Sequence, residues 1–242
     1  MDSYIQTQRQ NLDEGIKNPH FTQLIGSLDA VYRAAFGLSD VSPVFGHLLL
    51  ICHKSLLSAA SLIAQSQPDD SVGITRRAIE VAKTALAVKL NPNNAELWIS
   101  FEKRHERWLR RLEGKKPKGF TVHFEGTQSH PLLQALEMSL GMVSDAYVHF
   151  TPEYYISLDW DIRRSSDRGG EIWLNYFHRN SREVERHYNS LAAIHRQILQ
   201  AFDFCFDGFW GRDEVVQGLM TASLAIGKTF NDDYHRRYGE QT

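Results

Sequence analysis

The sequence predicts a mostly α-helical protein: a helical bundle of about seven or eight helices with one small inserted β-hairpin at about 154–178. Three observations carry this. Apolar residues recur at three- and four-residue steps through most of the chain, the period of a helix with one buried face. Start and stop signals punctuate those runs, as at Ser42-Pro43, Asn91-Pro92 and Asn180 with Glu183. Only the stretch YYISLDWDIRR changes to a period of two, the mark of a half-buried strand.

Taken in order, residues 3–17 are amphipathic and stop at Asn18-Pro19. A second helix over 20–36 places Phe21, Leu24, Ile25, Leu28, Val31, Tyr32 and Phe36 on one side and ends at Gly37. Ser42 as N-cap and Pro43 in the first helical position open a third helix that runs to about Gln65 and is apolar enough to be central. Gln67-Pro68-Asp69-Asp70 reads as a turn, with Asp70 or Ser71 capping a fourth helix that ends at Asn91-Pro92. A charged fifth helix is expected over 95–113, then a Lys- and Gly-rich loop to Ser129, and a sixth helix from Pro131 to roughly Tyr147. Ile156, Leu158, Trp160 and Ile162 then alternate with polar neighbours, SSDRGG makes a turn, and EIWLNYF returns. A helix over 171–178 is the alternative to that return strand. Asn180 and Glu183 form a capping box for a long helix to about Phe206, broken by Gly208 and Gly211. A last helix over about 212–229 leaves a polar tail expected to fray. No fixed-period repeat or long linker divides the chain, so residues 1–242 are expected to form a single domain.

Composition narrows the function classes. With 42% hydrophobic and 23% charged residues the chain has ordinary globular content. A formal charge of -2 gives no overall attraction to nucleic acid or acidic membranes. Cys52 and Cys205 each sit in an apolar stretch without a CxxC partner and read as buried thiols. The N-terminus is polar, without the basic and apolar regions of a signal peptide. The longest apolar run, near Val44 to Cys52, is interrupted by His47, so no bilayer span is expected and the cytoplasm is the expected compartment. The sequence has no GxGxxG or GxxxxGK[ST] loop, no HExxH and no GxSxG.

From His47 to Phe150 the chain resembles a family of bacterial helical proteins of unknown function. The segments that carry the resemblance are LLSAASLIAQSQPDDSVGITRRAIEVAKTALAVKLNPNNAELW and SDAYVHFTP. Arg76 and Glu80 match an Arg and Glu four residues apart, and Asn91-Pro92 matches a short turn. Asp145-Ala-Tyr-Val-His149 is similar to a Ser-x-x-x-His element, with Asp in place of Ser and Ser144 one residue off. The layout of that family is in turn similar to HEPN domains, some of which are RNases of phage defence and toxin–antitoxin systems. The resemblance implies a fold neighbourhood and a bacterial defence or stress setting.

Four groups of residues are candidates for chemistry. Arg76 with Glu80, and Asp145 with His149, each share a helix face; together they could bind an anion or move a proton near neutral pH. The ordinary alternative is an ion-pair network that fixes helix packing. Arg182 and His187 fit the HEPN spacing of an Arg and a His with four to six residues between them, and the resemblance implies catalytic roles for them: His as acid or base and Arg on the phosphate of RNA. Glu183 and Glu185 beside them would repel that phosphate. Lys103, Arg104, Arg107, Arg110, Arg111, Lys115, Lys116 and Lys118, near Trp98, Phe101, Trp108 and Phe120, could grip a polyanion, but Glu102, Glu106 and Glu113 interleave. Glu183, His187 and His195 along one helix lack the paired Glu-x-x-His of bundle metal sites, so neither a metal nor another cofactor is expected.

The function these observations favour is a non-enzymatic helical module that binds a protein partner or a small anion. The competing reading is a metal-independent endoribonuclease acting as a homodimer, with RNA as its partner. Neither reading involves a membrane.

Overall fold

The computed structural model describes residues 2–37, 42–92, 130–144, 160–165, 169–174, 181–208 and 211–239. Among the described residues the protein is built from seven α-helices: α1 (Asp2–Gly15), α2 (Gly26–Phe36), α3 (Pro43–Ala64), α4 (Pro68–Leu90), α5 (Pro131–Val143), α6 (Ser181–Cys205) and α7 (Glu214–Tyr238). A short π-helical stretch, His20–Ile25, leads into α2. The helical class is therefore as expected, while the expected helix over 95–113 and the basic stretch Lys103–Lys118 lie outside the described residues.

Where each helix begins and ends follows from local chemistry. Asn18 stops the first helical run: its Oδ1 accepts the His20 backbone N–H at 2.8 Å. Ser42 stands at the N-cap of α3 with Pro43 in the first turn, but it caps through position alone, since its side chain makes no capping bond. The α3–α4 turn differs from expectation. Helix α4 starts at Pro68, so Asp69, Asp70 and Ser71 lie within its first turns instead of capping it. The chain reverses earlier, at Ser66, whose φ of 63° is left-handed. Gln67 N–H donates to Leu62 O and Ser66 N–H to Ile63 O, both at 2.9 Å, the paired bonds of a Schellman ending.

The same device closes α6. Asp207 (φ 57°) takes the left-handed position, and Gly208 N–H reaches Asp203 O at 2.8 Å. Asp213 then caps α7, accepting from the Val215 and Val216 N–H groups at 2.8 and 3.2 Å. The tail expected to fray is instead helical to Tyr238. Arg237 explains this: its guanidinium meets both carboxylate oxygens of the buried Glu185 on α6, at 3.0 and 2.5 Å, and Asp233 at 2.8 Å.

Helix α6 is the hub, packed against α2, α3, α4, α5, α7 and the π-helical stretch. Its inward face supplies Tyr188, Leu191, Ala192, Ile198, Leu199 and Phe202 to a core shared with Leu48, Leu56 and Ile63 of α3 and Ile79 and Leu86 of α4. Small residues at the α3–α4 contact, Ala59, Ala60, Ala78 and Ala82, are all fully buried and let the two helices approach closely. Helix α3 is long and apolar enough to cross a membrane by length and composition, contrary to the expectation drawn from its interruption at His47, and it serves as a core helix here.

The backbone segments Trp160–Ser165 and Gly169–Leu174 lie antiparallel, with Trp160 opposite Leu174 and Ser165 opposite Gly169. They pack extensively on none of the described helices. The architecture is thus the helical bundle, and an inserted hairpin is not established as part of it.

Candidate functional site

A cleft of about 230 Å³ opens where α4, α5 and α6 meet. Helix periodicity assembles it: Arg186, His187, Ser190, Leu191 and Ile194 fall along one stripe of α6, and Ser71, Val72 and Thr75 along one stripe of α4. Met142 and Val143 close it from the end of α5. Lys83 of α4 pairs with Glu137 of α5, and Ser139 Oγ of α5 donates to Gln197 Oε1 of α6 at 2.7 Å, so all three walls are tied together.

The walls differ chemically. On α4, the Ser71 hydroxyl donates to Pro68 O at 2.5 Å and the Thr75 hydroxyl to Ser71 O at 2.9 Å. With their protons committed to the backbone, both oxygens offer lone pairs to the cleft. On α6, Arg186 and His187 supply N–H groups. Arg186 holds Glu183 at 2.6 Å in a pair open to solvent, its side chain 42% exposed. His187 is 7% exposed, and its Nε2 stands 3.9 Å from Asp69 Oδ1, beyond hydrogen-bond length. Val72, Val143, Leu191 and Ile194 form the apolar floor, all buried.

The residues singled out in the sequence are distributed unevenly about this cleft. Arg76 and Glu80 do pair, at 3.1 Å, as a largely exposed couple on α4 next to Thr75. Asp145 and His149 lie outside the described residues. His187 lines the cleft, whereas Arg182 is exposed and reaches toward α7, its Cζ 5.9 Å from the centre of the Tyr238 ring. Five residues of helix separate them by about 140° around the axis, which is why one faces α4 and the other α7. Glu183 is held by Arg186 and His195 by Tyr32. Among the described residues no three His, Cys, Asp or Glu side chains gather as a metal site.

Sequence reasoning missed Ser71, Thr75, Met142, Arg186 and Ser190. None belongs to a motif; only the packing of three helices brings them together. It also missed a buried polar chain on the other side of α6. Tyr32 OH and His195 Nδ1 are 2.9 Å apart, the His53 ring stacks on Tyr32, and His53 Nε2 meets Asp29 at 2.6 Å. Burial, helped by the nearby His53, lowers the His195 pKa to about 3, so this imidazole is neutral.

No family model, curated protein or solved structure matches the chain.

Proposed function

We propose that this protein is a helical binding module that takes a small anionic ligand in the α4–α5–α6 cleft. One observation carries the reading: Arg186 and His187 stand side by side at the edge of an apolar-floored cleft. A guanidinium and an imidazole in that position can hold one anionic group while the floor excludes water. Glu183 does not close the site. Its i,i+3 pair with Arg186 is solvent-exposed, and such pairs contribute about 0–1 kcal/mol, so a ligand anion can displace it. Service in a bacterial defence or stress system, with a protein partner that responds to the ligand, is part of this proposal.

The test is calorimetric titration of the full chain with acetate, inorganic phosphate and longer carboxylates. Binding is expected for at least one of them, with an affinity reduced about tenfold or more in Arg186→Ala, the scale of a lost hydrogen bond to a charged group. Failure of every anion to bind would remove the reading.

The endoribonuclease reading draws on one feature, an imidazole on the cleft wall with the Asp69 carboxylate 3.9 Å from its Nε2. It requires a second Arg–His pair supplied by another copy of the chain. RNA cleavage abolished by His187→Ala, together with a dimer in sedimentation, would favour it over simple binding.

We also propose that 154–178 forms the inserted hairpin. Its support is the two-residue alternation and the antiparallel backbone register of Trp160–Ser165 with Gly169–Leu174. Slow amide exchange in alternate residues of both segments is the expected result, and uniformly fast exchange would exclude it.

A further inference from the structure

We infer that the ligand of this cleft is a linear monocarboxylate amphiphile, held by its head at Arg186 and His187 and by its tail on the apolar floor and the methionine lip of α5. This rests on the anion-binding reading above and narrows it by charge, shape and size.

Charge comes first. The polar end holds Asp69 and Glu183 as well as the two basic groups. These four groups already offset one another, so every added negative charge is an excess, and a dianion such as phosphate brings twice the excess of a single carboxylate. The α4 wall reinforces the point, because Ser71 and Thr75 present lone pairs and no protons to a second anionic oxygen. Among the described residues only the α6 wall donates, which gives the charge its place beside Arg186. Arg186 already holds a carboxylate there, that of Glu183 at 2.6 Å, and a ligand carboxylate offers the guanidinium the same chemistry.

Shape and size follow. Val72, Met142, Val143, Leu191 and Ile194 make up half of the lining among the described residues and contain no polar side-chain group except the Met thioether. Met142 is 65% exposed, and Met138, one helical turn away, is 67% exposed. Met142 on the rim, with Met138 one turn back along α5, forms a deformable apolar lip suited to a flexible chain. A volume of about 230 Å³ lies below the ~300 Å³ at which drug-sized ligands begin to fit, which favours a short chain over a nucleotide.

The experiment is a titration of the full chain with acetate, butyrate, hexanoate and octanoate, alongside inorganic phosphate and hexyl phosphate. Affinity is expected to rise about fourfold per added methylene until the cleft is full, then level off. Hexyl phosphate is expected to bind more weakly than hexanoate. Arg186→Ala should weaken every carboxylate by a similar factor, and Met142→Gln, at an exposed position, should reduce the dependence on chain length. Unchanged melting curves would show that both variants fold. Arg186-dependent binding that ignores chain length, or that prefers phosphates, would overturn the amphiphile and leave the anion site standing. Chain-length-dependent binding indifferent to Arg186 would overturn this inference by placing the acids on another apolar surface, and absence of all binding would remove both readings.

Discussion

The strongest commitments at the scale of single residues are buried polar groups. His195 is fully buried, and its imidazole is kept neutral down to a pKa of about 3 by loss of solvent and the neighbouring His53. His20 is lowered in the same direction, chiefly by burial. In the unfolded chain both histidines take up a proton near the ordinary value of about 6.5. Between that value and the folded pKa the unfolded state binds more protons, so stability rises with pH through this window and is complete above it. Asp29 acts in the same sense at lower pH: burial pushes its carboxyl up, but hydrogen bonds from Arg33 and His53 outweigh this and leave it below the usual range. Its contribution is present above the ordinary carboxylate pKa and is lost on acidification below it. Urea unfolding between pH 7.5 and 4.5 is therefore expected to show falling stability, with His195 adding a slope of up to about 1.4 kcal/mol per pH unit. The His195→Gln variant should lose that part of the slope. Equal slopes in the two proteins would show that His195 is not held neutral.

At the scale of elements, most of the helical framework was legible in the sequence because it rests on local signals. Asn18-Pro19, Ser42-Pro43 and Asn91-Pro92 act within a few residues of themselves, and helices end or begin beside each of them. The errors arose where a long-range contact or an unusual backbone decides. Ser66 and Asp207 take left-handed positions where glycine would ordinarily announce the turn, so the start of α4 and the end of α6 were misjudged or credited to Gly208. The polar NDDYHRRY tail looks unstructured by composition, yet Arg237 fastens it to Glu185, 52 residues earlier in sequence. This gives a sharp expectation. Arg237→Ala strands the buried Glu185 carboxylate and should cost about 1–3 kcal/mol in chemical denaturation. Arg236→Ala, which removes only an exposed pair with Asp233, should cost under about 1 kcal/mol. Equal costs would mean that the end of α7 is not held through Glu185.

At the scale of the whole molecule, the site was the least legible part. Its residues come from α4, α5 and α6, which meet through packing, and no spacing in the chain encodes that meeting. His187 stands out in the sequence for its distance from Arg182, but the fold turns it toward α4, with Asp69 3.9 Å away, and Arg186 beside it supplies the cation instead. The hydroxyls of Ser71 and Thr75 would pass as ordinary helix residues until their positions on the cleft wall are known. This three-helix cleft is where we propose that the protein meets a small anion. The most direct test is a ¹H–¹⁵N correlation spectrum of the full chain during addition of hexanoate. Saturable shifts are expected to centre on Val72, Val143, Ser190 and Leu191, with Ser27 and Ser223 at the α2–α7 contact unmoved. Shifts that never saturate, or that centre away from α4, α5 and α6, would contradict it.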